Sequence, residues 1–168
     1  MAEEIQDPVR RQRMSFERQG ETLRAVVVTR PGGDVPLHLH PRQTERFRVE
    51  SGNVEFRVGR RRVPAKAGDE IVADPGVKHA FRNTGDTDAI VHVTVEPALA
   101  LQEFLAEAAA LARECKYTQG GIPRGFRAAA QLADLMERYS DVTVMASPPL
   151  PVQRLTLPLL ARFARSRR

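Results

Sequence analysis

The most constraining feature of the sequence is a series of short β-prone runs between residues 15 and 97, each bounded by turn residues. Leu23–Val28 is one such run, and Val54–Val58 alternates apolar and polar side chains. Pro31–Asp34 and Ala67–Asp69 have the composition of turns. Short strands at this spacing, separated by Gly, Pro, Asn and Asp, predict an antiparallel sandwich or barrel, and therefore an all-β core.

Two helices are predicted beyond Pro97, where the apolar periodicity changes from that of a strand to that of a helix. Residues 98–114 are rich in Ala and Leu, and Pro97 suits the start of a helix. A second helix is predicted over residues 125–139, after a loop that contains Gly and Pro. The apolar face of the first helix comprises Leu101, Leu105, Ala108, Leu111 and Ala112. We expect both helices to pack on the barrel rather than to bind a partner.

The chain divides into four predicted parts. Residues 1–14 are expected to be a charged arm without apolar periodicity, and residues 15–97 to form the barrel. Residues 98–146 are expected to be a helical extension that packs on the barrel. Residues 147–168 begin with a proline-rich linker and continue as a basic amphipathic helix, which Pro158 should kink or interrupt.

The net charge of +5 comes from the C-terminal end of the chain rather than from the barrel. Residues 154–168 contain five arginines and no acidic residue, and the other basic residues equal the 21 acidic residues in number. A basic tail of this kind is more often solvated than bound, so no nucleic-acid partner is expected. Contact of the tail with a membrane surface is an alternative that we do not favour.

The cysteine content and the N-terminus favour a cytoplasmic protein. Cys115 is the only cysteine, which excludes an intramolecular disulfide and suits a reducing compartment. The first residues are acidic and polar, so no signal peptide is expected. No apolar run approaches the roughly 20 residues that a membrane span needs.

Three of the four histidines and one glutamate form a candidate metal site. His38 and His40 are two residues apart, so in a strand both imidazoles project from the same face. Glu45 shares a face with Phe47 and Val49, which marks that face as interior. A buried carboxylate in an apolar barrel is costly to keep ionised, and a cation beside it removes that cost. His79 supplies a third imidazole from a later strand.

Imidazole and carboxylate ligands suit one divalent metal ion, which by these ligand types is Fe, Mn, Ni or Zn. Four protein ligands on an octahedral ion leave two positions for water, O₂ or substrate. No cysteine lies near these residues, which excludes a thiolate zinc site. His92, near a strand end, is interpreted as a solvated or hydrogen-bonded residue.

The segment from Gly32 to Gly52 resembles the first motif of the cupin superfamily. That motif is a Gly, five residues, His-x-His, three or four residues, Glu, six residues and Gly, and every fixed position is met through His38, His40 and Glu45. The segment from residue 68 to residue 83 resembles the second cupin motif, which ends in His and Asn.

The second motif departs from the usual pattern at one position. Its glycines, its histidine and its last residue stand at Gly68, Gly76, His79 and Asn83. Asp74 stands where the family usually has Pro, and Pro75 follows it. The departure concerns the turn, because the spacing from the turn to the histidine is kept.

The resemblance implies a double-stranded β-helix, the cupin jelly-roll barrel, with C-terminal α-helices added, as in some small bacterial cupin proteins of the cupin_2 type. It assigns the metal-ligand roles to His38, His40, Glu45 and His79, and it implies a homodimer. We expect the barrel lining near the metal to include the apolar residues Phe47, Val49, Phe56 and Phe81, unless these residues are only core packing.

Three functions are compatible with these residues. The first is a metal-dependent enzyme, most simply a dioxygenase, that acts on a small organic substrate with hydrophobic, aromatic or phenolic character. The second is a metal-assisted isomerase, cyclase or lyase, which needs a proton donor or acceptor such as His92, Glu96, Asp74 or Tyr117. The third is a non-catalytic sensor or binding protein for a small molecule.

Overall fold

The computed structural model describes residues 4–114, 117–118 and 121–166, and its strands form two sheets that enclose one core. Cys115, Arg167 and Arg168 lie outside these residues. Ten strands come first: β1 (Glu4–Asp7), β2 (Gln12–Gln19), β3 (Thr22–Thr29), β4 (Asp34–Leu39), β5 (Thr44–Ser51), β6 (Asn53–Val58), β7 (Arg61–Lys66), β8 (Glu70–Ala73), β9 (His79–Asn83) and β10 (Ala89–Glu96). The elements that follow are α1 (Leu101–Glu114), α2 (Phe126–Arg138), β11 (Val144–Met145) and α3 (Leu150–Arg165).

The two sheets are antiparallel, and their inner faces meet in an apolar core. One sheet has the strand order β1-β2-β3-β10-β5-β8, and the other has the order β11-β4-β9-β6-β7. Phe47 on β5 and Phe56 on β6 join the two sheets, with their ring centroids 5.1 Å apart. Phe56 is fully buried, and complete burial of such a side chain contributes roughly 1.5–3 kcal/mol. The predicted antiparallel barrel with C-terminal helices is confirmed.

The N-terminal residues are part of the larger sheet, which corrects the prediction of a charged arm over residues 1–14. Residues 4–7 and 12–14 lie in β1 and β2. Along β2, Gln12, Met14 and Phe16 are buried while Arg13 and Glu17 are exposed. The charged residues lie on the outer face of these strands, while the inner face is buried against the rest of the barrel. Their number made the segment resemble an arm in the sequence.

The asparagine at the end of the second motif holds two parts of the barrel wall together. Asn83 is buried, and its Nδ2 donates to the carbonyls of Thr29 and Thr87 at 2.8 Å each. Its Oδ1 accepts the backbone N–H of Gly85 at 2.9 Å. One side chain therefore ties the end of β3 to the loop between β9 and β10, with both the NH₂ group and the oxygen of its amide used.

The helices α1 and α2 contribute to the buried core of the barrel. Leu101 and Phe104 of α1 and Leu135 of α2 belong to the same buried cluster as the strands. Arg165 joins α3 to α2 through Asp134 and Glu137, at 2.6 Å each. Among the described residues, no helix combines the length and the apolar character that a bilayer crossing requires.

The C-terminal helix differs from expectation in one respect. The helix α3 runs on through Pro158 without the interruption that was one of the two expected effects of this residue. Pro158 lies on the exposed side of α3, where water can reach the backbone groups that a missing N–H leaves without an internal partner. Leu155, Leu159 and Phe163 of this helix are also exposed.

Replacing Gly52 by alanine is expected to destabilise the barrel strongly. Gly52 has φ +86°, and an added Cβ would lie 2.7 Å from the Cα of Ala89. The matched control is Gly59→Ala, since Gly59 has φ +60° and open space around the same position. We expect about 1–2 kcal/mol from backbone strain in Gly59→Ala and a further 1–3 kcal/mol, roughly, from the clash in Gly52→Ala, measured by chemical denaturation. Equal losses in the two variants would contradict the close approach.

Candidate metal centre

The structure brings the four predicted ligand side chains together inside the barrel. His38 on β4 and His79 on β9 are direct cross-strand partners in the smaller sheet. Glu45 lies on β5 of the larger sheet, and His40 follows β4 directly. One potential ligand atom from each of the four residues lies within 4.8 Å of the others, and all four residues are buried. The cluster therefore bridges the inner faces of both sheets.

Local strand geometry explains why these side chains point inward. Along β5 the burial alternates residue by residue, with Glu45, Phe47 and Val49 inside and Arg46 and Arg48 outside. The β4–β9 ladder has a register irregularity between Val35 and His38, which is the kind of local shift that re-aims a side chain next to a site.

The loop between His40 and Glu45 is held from two directions. The carbonyl of His40 accepts the backbone N–H of Gly76 at 2.8 Å. Gln43 is fully buried, and its Nε2 donates to the carbonyls of Pro97 and Ala98 at 3.0 Å each. The loop that joins the ligands is thus anchored to the turn of the second motif and to the start of the helical region.

Each imidazole in the cluster has its Nδ1 hydrogen-bonded to a backbone carbonyl. His38 Nδ1 donates to Pro36 at 2.8 Å, and His79 Nδ1 donates to Val77 at 2.9 Å. His40 Nδ1 donates to the carbonyl of Val142 at 2.7 Å. Because a carbonyl oxygen only accepts, these contacts place a proton on Nδ1, so Nε2 is the ring atom that a metal can bind.

The three Nε2 atoms converge on one carboxylate oxygen and on one another. His79 Nε2 lies 2.7 Å from Glu45 Oε2, and His40 Nε2 lies 3.3 Å from the same oxygen. His38 Nε2 lies 3.2 Å from His40 Nε2. Three nitrogen lone pairs and a carboxylate oxygen that face a common point are a donor set for a divalent first-row transition metal.

Burial and mutual contact shift the protonation of the cluster. Burial, with the nearby charges of His79 and His40, lowers the pKa of His38 to about 3, so its imidazole is neutral at physiological pH. Burial opposes protonation of His40, but the hydrogen bond and the charge of Glu45 outweigh it and raise its pKa. Burial alone would raise the pKa of the Glu45 carboxyl, yet its contacts with His40 and His79 hold it well below the usual range. Glu45 is therefore ionised and available to a cation.

The helical extension contributes a partner to the cluster that the sequence did not reveal. Val142 lies between α2 and β11, and β11 pairs with β4 through Leu39 and His38. The carbonyl of Val142 orients His40, because it accepts the Nδ1 proton of that ring. Only the β-prone residues Val142, Thr143 and Val144 gave a weak sequence signal for this added strand.

The predicted pocket residues divide into two pairs. Phe47 and Phe81 line the cavity that contains His38, His40 and Glu45. Val49 and Phe56 do not belong to the lining described for this cavity, and they are buried in the core with exposures of 1% and 0%. All four share the barrel interior, and the burial of Val49 and Phe56 favours for these two the alternative of core packing.

The fourth histidine lies away from the cluster. His92 is on the outer face of β10, where it is exposed and paired with the carboxylate of Glu50 on β5. The interpretation of His92 as a hydrogen-bonded surface residue agrees with this position.

Comparison with known families identifies the central part of the chain. Residues 25–95 match the family model Cupin_2, described as a cupin domain. The four clustered side chains all lie within these residues, whereas Val142 and the three helices lie beyond them.

Two curated relatives match shorter segments. One is named "Oxalate-binding protein", from Thermotoga maritima, and is 40% identical over 58 residues, which are 34% of this chain and 48% of the relative. The other is "Protein SchB" from Streptomyces halstedii, 36% identical over 64 residues, which are 38% of this chain and 46% of the relative. The chain thus spans about half the length of the curated relatives that it matches.

Solved structures match the barrel but not the whole chain. A protein with a double-stranded β-helix domain from Klebsiella pneumoniae is 28% identical with a TM-score of 0.50, and the match covers 53% of this chain and 79% of that one. A structure described as a predicted oxalate decarboxylase, from Thermotoga maritima, is 27% identical with a TM-score of 0.52, covering 58% and 92% of the two chains.

The histidine tautomers give a direct test of this geometry. In the protein loaded with diamagnetic zinc, we expect long-range ¹H–¹⁵N NMR spectra to show His38, His40 and His79 protonated at Nδ1 with Nε2 bound to the metal. His92 serves as the internal reference, because its exposed ring should show no metal-induced shift. Protonation at Nε2 in two or more of the three buried rings would contradict the arrangement.

Proposed function

We propose that this chain, whose residues 25–95 are a cupin domain, is a metal-dependent enzyme that acts on a small organic molecule. The proposed ligands of one divalent metal ion are His38, His40, Glu45 and His79. The observation that carries the proposal is the convergence of three Nε2 atoms and one carboxylate oxygen, with each Nδ1 already held by a backbone carbonyl.

The donor set fits the metal that the family implies. Imidazole nitrogen and carboxylate oxygen accept Fe, Mn, Ni or Zn, and the ionised Glu45 offsets part of the ion's charge. A metal held by four protein ligands would supply Lewis acidity and two positions at which an organic substrate and O₂ can meet. The carbonyls of Pro36, Val77 and Val142 would keep the rings aligned toward the ion.

The surroundings of the cluster support an apolar or aromatic substrate and a dioxygenase-like reaction. The ring of Phe47 lies 5.9 Å from that of His79 and 6.1 Å from that of Phe81, centroid to centroid. These two phenyl rings limit the access of water to the ligands and offer edges and faces for a phenolic or enolic ring. A drier site also strengthens each electrostatic contact within it.

A metal-assisted isomerase or cyclase is the first alternative. Of the four proton donors or acceptors considered for it, His92, Glu96 and Asp74 are exposed. Tyr117 lines the cavity that contains the cluster. Its phenol is therefore the group to which we assign proton transfer if the reaction needs no O₂.

A binding protein without turnover is the second alternative. It is favoured by the name of one relative, the oxalate-binding protein from Thermotoga maritima. A homodimer and a cytoplasmic location, both expected from the sequence, also stay predictions, and light scattering of the purified protein measures the first of them.

Ligand variants should lose metal while matched surface variants keep it. We expect Glu45→Gln and His79→Ala to weaken the binding of Mn²⁺ by at least about a hundredfold, because each removes a proposed ligand. In the unaltered protein, metal at a hundredfold excess over Kd adds about 2.7 kcal/mol to the free energy of unfolding, which raises the melting temperature. Both ligand variants should lose this increase. Metal content is measured by inductively coupled plasma mass spectrometry, and stability by calorimetry.

The controls for this test are Glu50→Gln and His92→Ala, which make the same chemical changes at an exposed pair on the outer face. An exposed pair contributes only about 0–1 kcal/mol, so both controls should fold and bind metal like the parent. Full metal content in Glu45→Gln and His79→Ala would refute the ligand assignment.

Oxygen consumption separates the three functions. Protein loaded in turn with Fe²⁺, Mn²⁺ and Ni²⁺ is mixed with phenolic and enolic compounds, and O₂ uptake is followed with an electrode. The proposal requires O₂ uptake that depends on both metal and substrate and is lost in Glu45→Gln. Turnover under argon would support the isomerase instead, and melting shifts without turnover would support the binding protein.

A further inference from the structure

The cavity at the cluster extends far beyond the metal ligands. Its volume is about 590 Å³, and it reaches from His38, His40 and Glu45 to the inner faces of β2 and β3 and to the helical extension. Pockets of about 300–1,000 Å³ hold drug-sized ligands. A two-carbon dicarboxylate such as oxalate would occupy only a small part of this space.

One face of α1 forms part of the cavity wall. That face is apolar throughout and consists of Leu101, Phe104, Leu105, Ala108, Leu111 and Ala112. These residues recur at helical spacing, so one side of α1 faces the cavity. The helix lies outside the part of the chain that matches the cupin family model, and it gives this barrel an apolar wall that the matched domain itself does not contain.

The charges that border the cavity lie in two separate places. Outside the metal cluster, the charged side chains that the described residues contribute to its lining are Asp7 and Arg10. Asp7 accepts the backbone N–H groups of Val9 and Arg10 at 2.9 Å each, and the Arg10 guanidinium lies 3.4 Å from Asp34. Asp34 comes four residues before His38 on β4, a separation of roughly 13 Å along a strand. Asp7 and Arg10 are therefore distant from the cluster, and both are already bound to other groups of the protein.

From this arrangement we propose that the ligand of this cavity is a mostly apolar organic molecule of drug-like size with one oxygen-bearing end. The oxygen-bearing end, a carboxylate or an enolate, faces the cluster, and the hydrocarbon body lies against α1 and the inner faces of β2 and β3. The part of this inference that concerns the oxygen-bearing end rests on the proposed metal site. The part that concerns the hydrocarbon body rests on the cavity alone.

Isothermal titration calorimetry with a series of carboxylates tests the proposal. The probes are oxalate, acetate, octanoate and dodecanoate, added below their micellar concentrations to the full chain loaded with Mn²⁺. Each methylene that enters the cavity should strengthen binding by up to about fourfold. We therefore expect dodecanoate to bind at least tenfold more tightly than octanoate, and both to bind more tightly than acetate or oxalate. Equal affinities across the series, or tightest binding of oxalate, would overturn the proposal.

Two substitutions on the same helix locate the binding. Ala108→Phe would place a ring in the cavity and should weaken dodecanoate binding at least tenfold. Ala110→Phe is the matched control, because Ala110 lines a different pocket of about 410 Å³, formed by α1, α2 and α3, and its effect should stay within about twofold. If Ala108→Phe does not fold by calorimetry, Ala112→Leu and Ala110→Leu make the same comparison with smaller side chains. Equal effects at the cavity-lining position and at Ala110 would overturn the assignment to the cavity.

Metal content, measured on every sample, separates this inference from the proposed function. Protein that binds Mn²⁺ at Glu45 but shows no chain-length dependence would refute the apolar ligand and leave the metal site intact. Protein that binds no metal but keeps the dodecanoate preference, with loss in Ala108→Phe, would refute the metal-dependent function and the assignment of the oxygen-bearing end, and it would support the hydrocarbon part.

Discussion

The buried carboxylate of Glu45 is the constraint on which the rest of the site depends. An ionised carboxylate between two sheets loses its hydration, which costs several kcal/mol unless opposite charge or hydrogen bonds replace the water. His40 and His79 place their Nε2 atoms 3.3 and 2.7 Å from Oε2 of Glu45, so a proton held between these atoms, or a divalent cation in its place, supplies the missing contact. The two sheets must therefore meet in a register that brings β4, β5 and β9 to one point.

Backbone carbonyls set the orientation of the three histidine rings. A ligand histidine needs a free Nε2, and an Nδ1 held by a carbonyl keeps it free. For His38 and His79 that carbonyl lies two residues earlier in the chain, so the strand itself provides it. For His40 it belongs to Val142, 102 residues away, so the helical extension is part of the centre and not only a covering layer.

The same extension changes what the barrel can hold. In a barrel closed by its own side chains, interior residues fill the space, as Val49 and Phe56 do here. Near the cluster the strands leave space, and α1 closes it with leucine, alanine and phenylalanine side chains. The result joins a polar, metal-type cluster to an apolar volume, a combination suited to a ligand that has one oxygen-rich end.

The sequence by itself determined the antiparallel barrel, the helices and the identity of the four clustered residues, because these follow from local periodicity and from two motifs of fixed spacing. Only the tertiary structure decided that residues 4–7 and 12–14 pair into the larger sheet, that Val142 orients His40, and that Phe47 and Phe81 border open space while Val49 and Phe56 do not. Local sequence determines the face of a strand or helix from which a side chain projects. The residues that pack against that face come from segments far apart in the chain, and the periodicity within one segment does not encode these contacts.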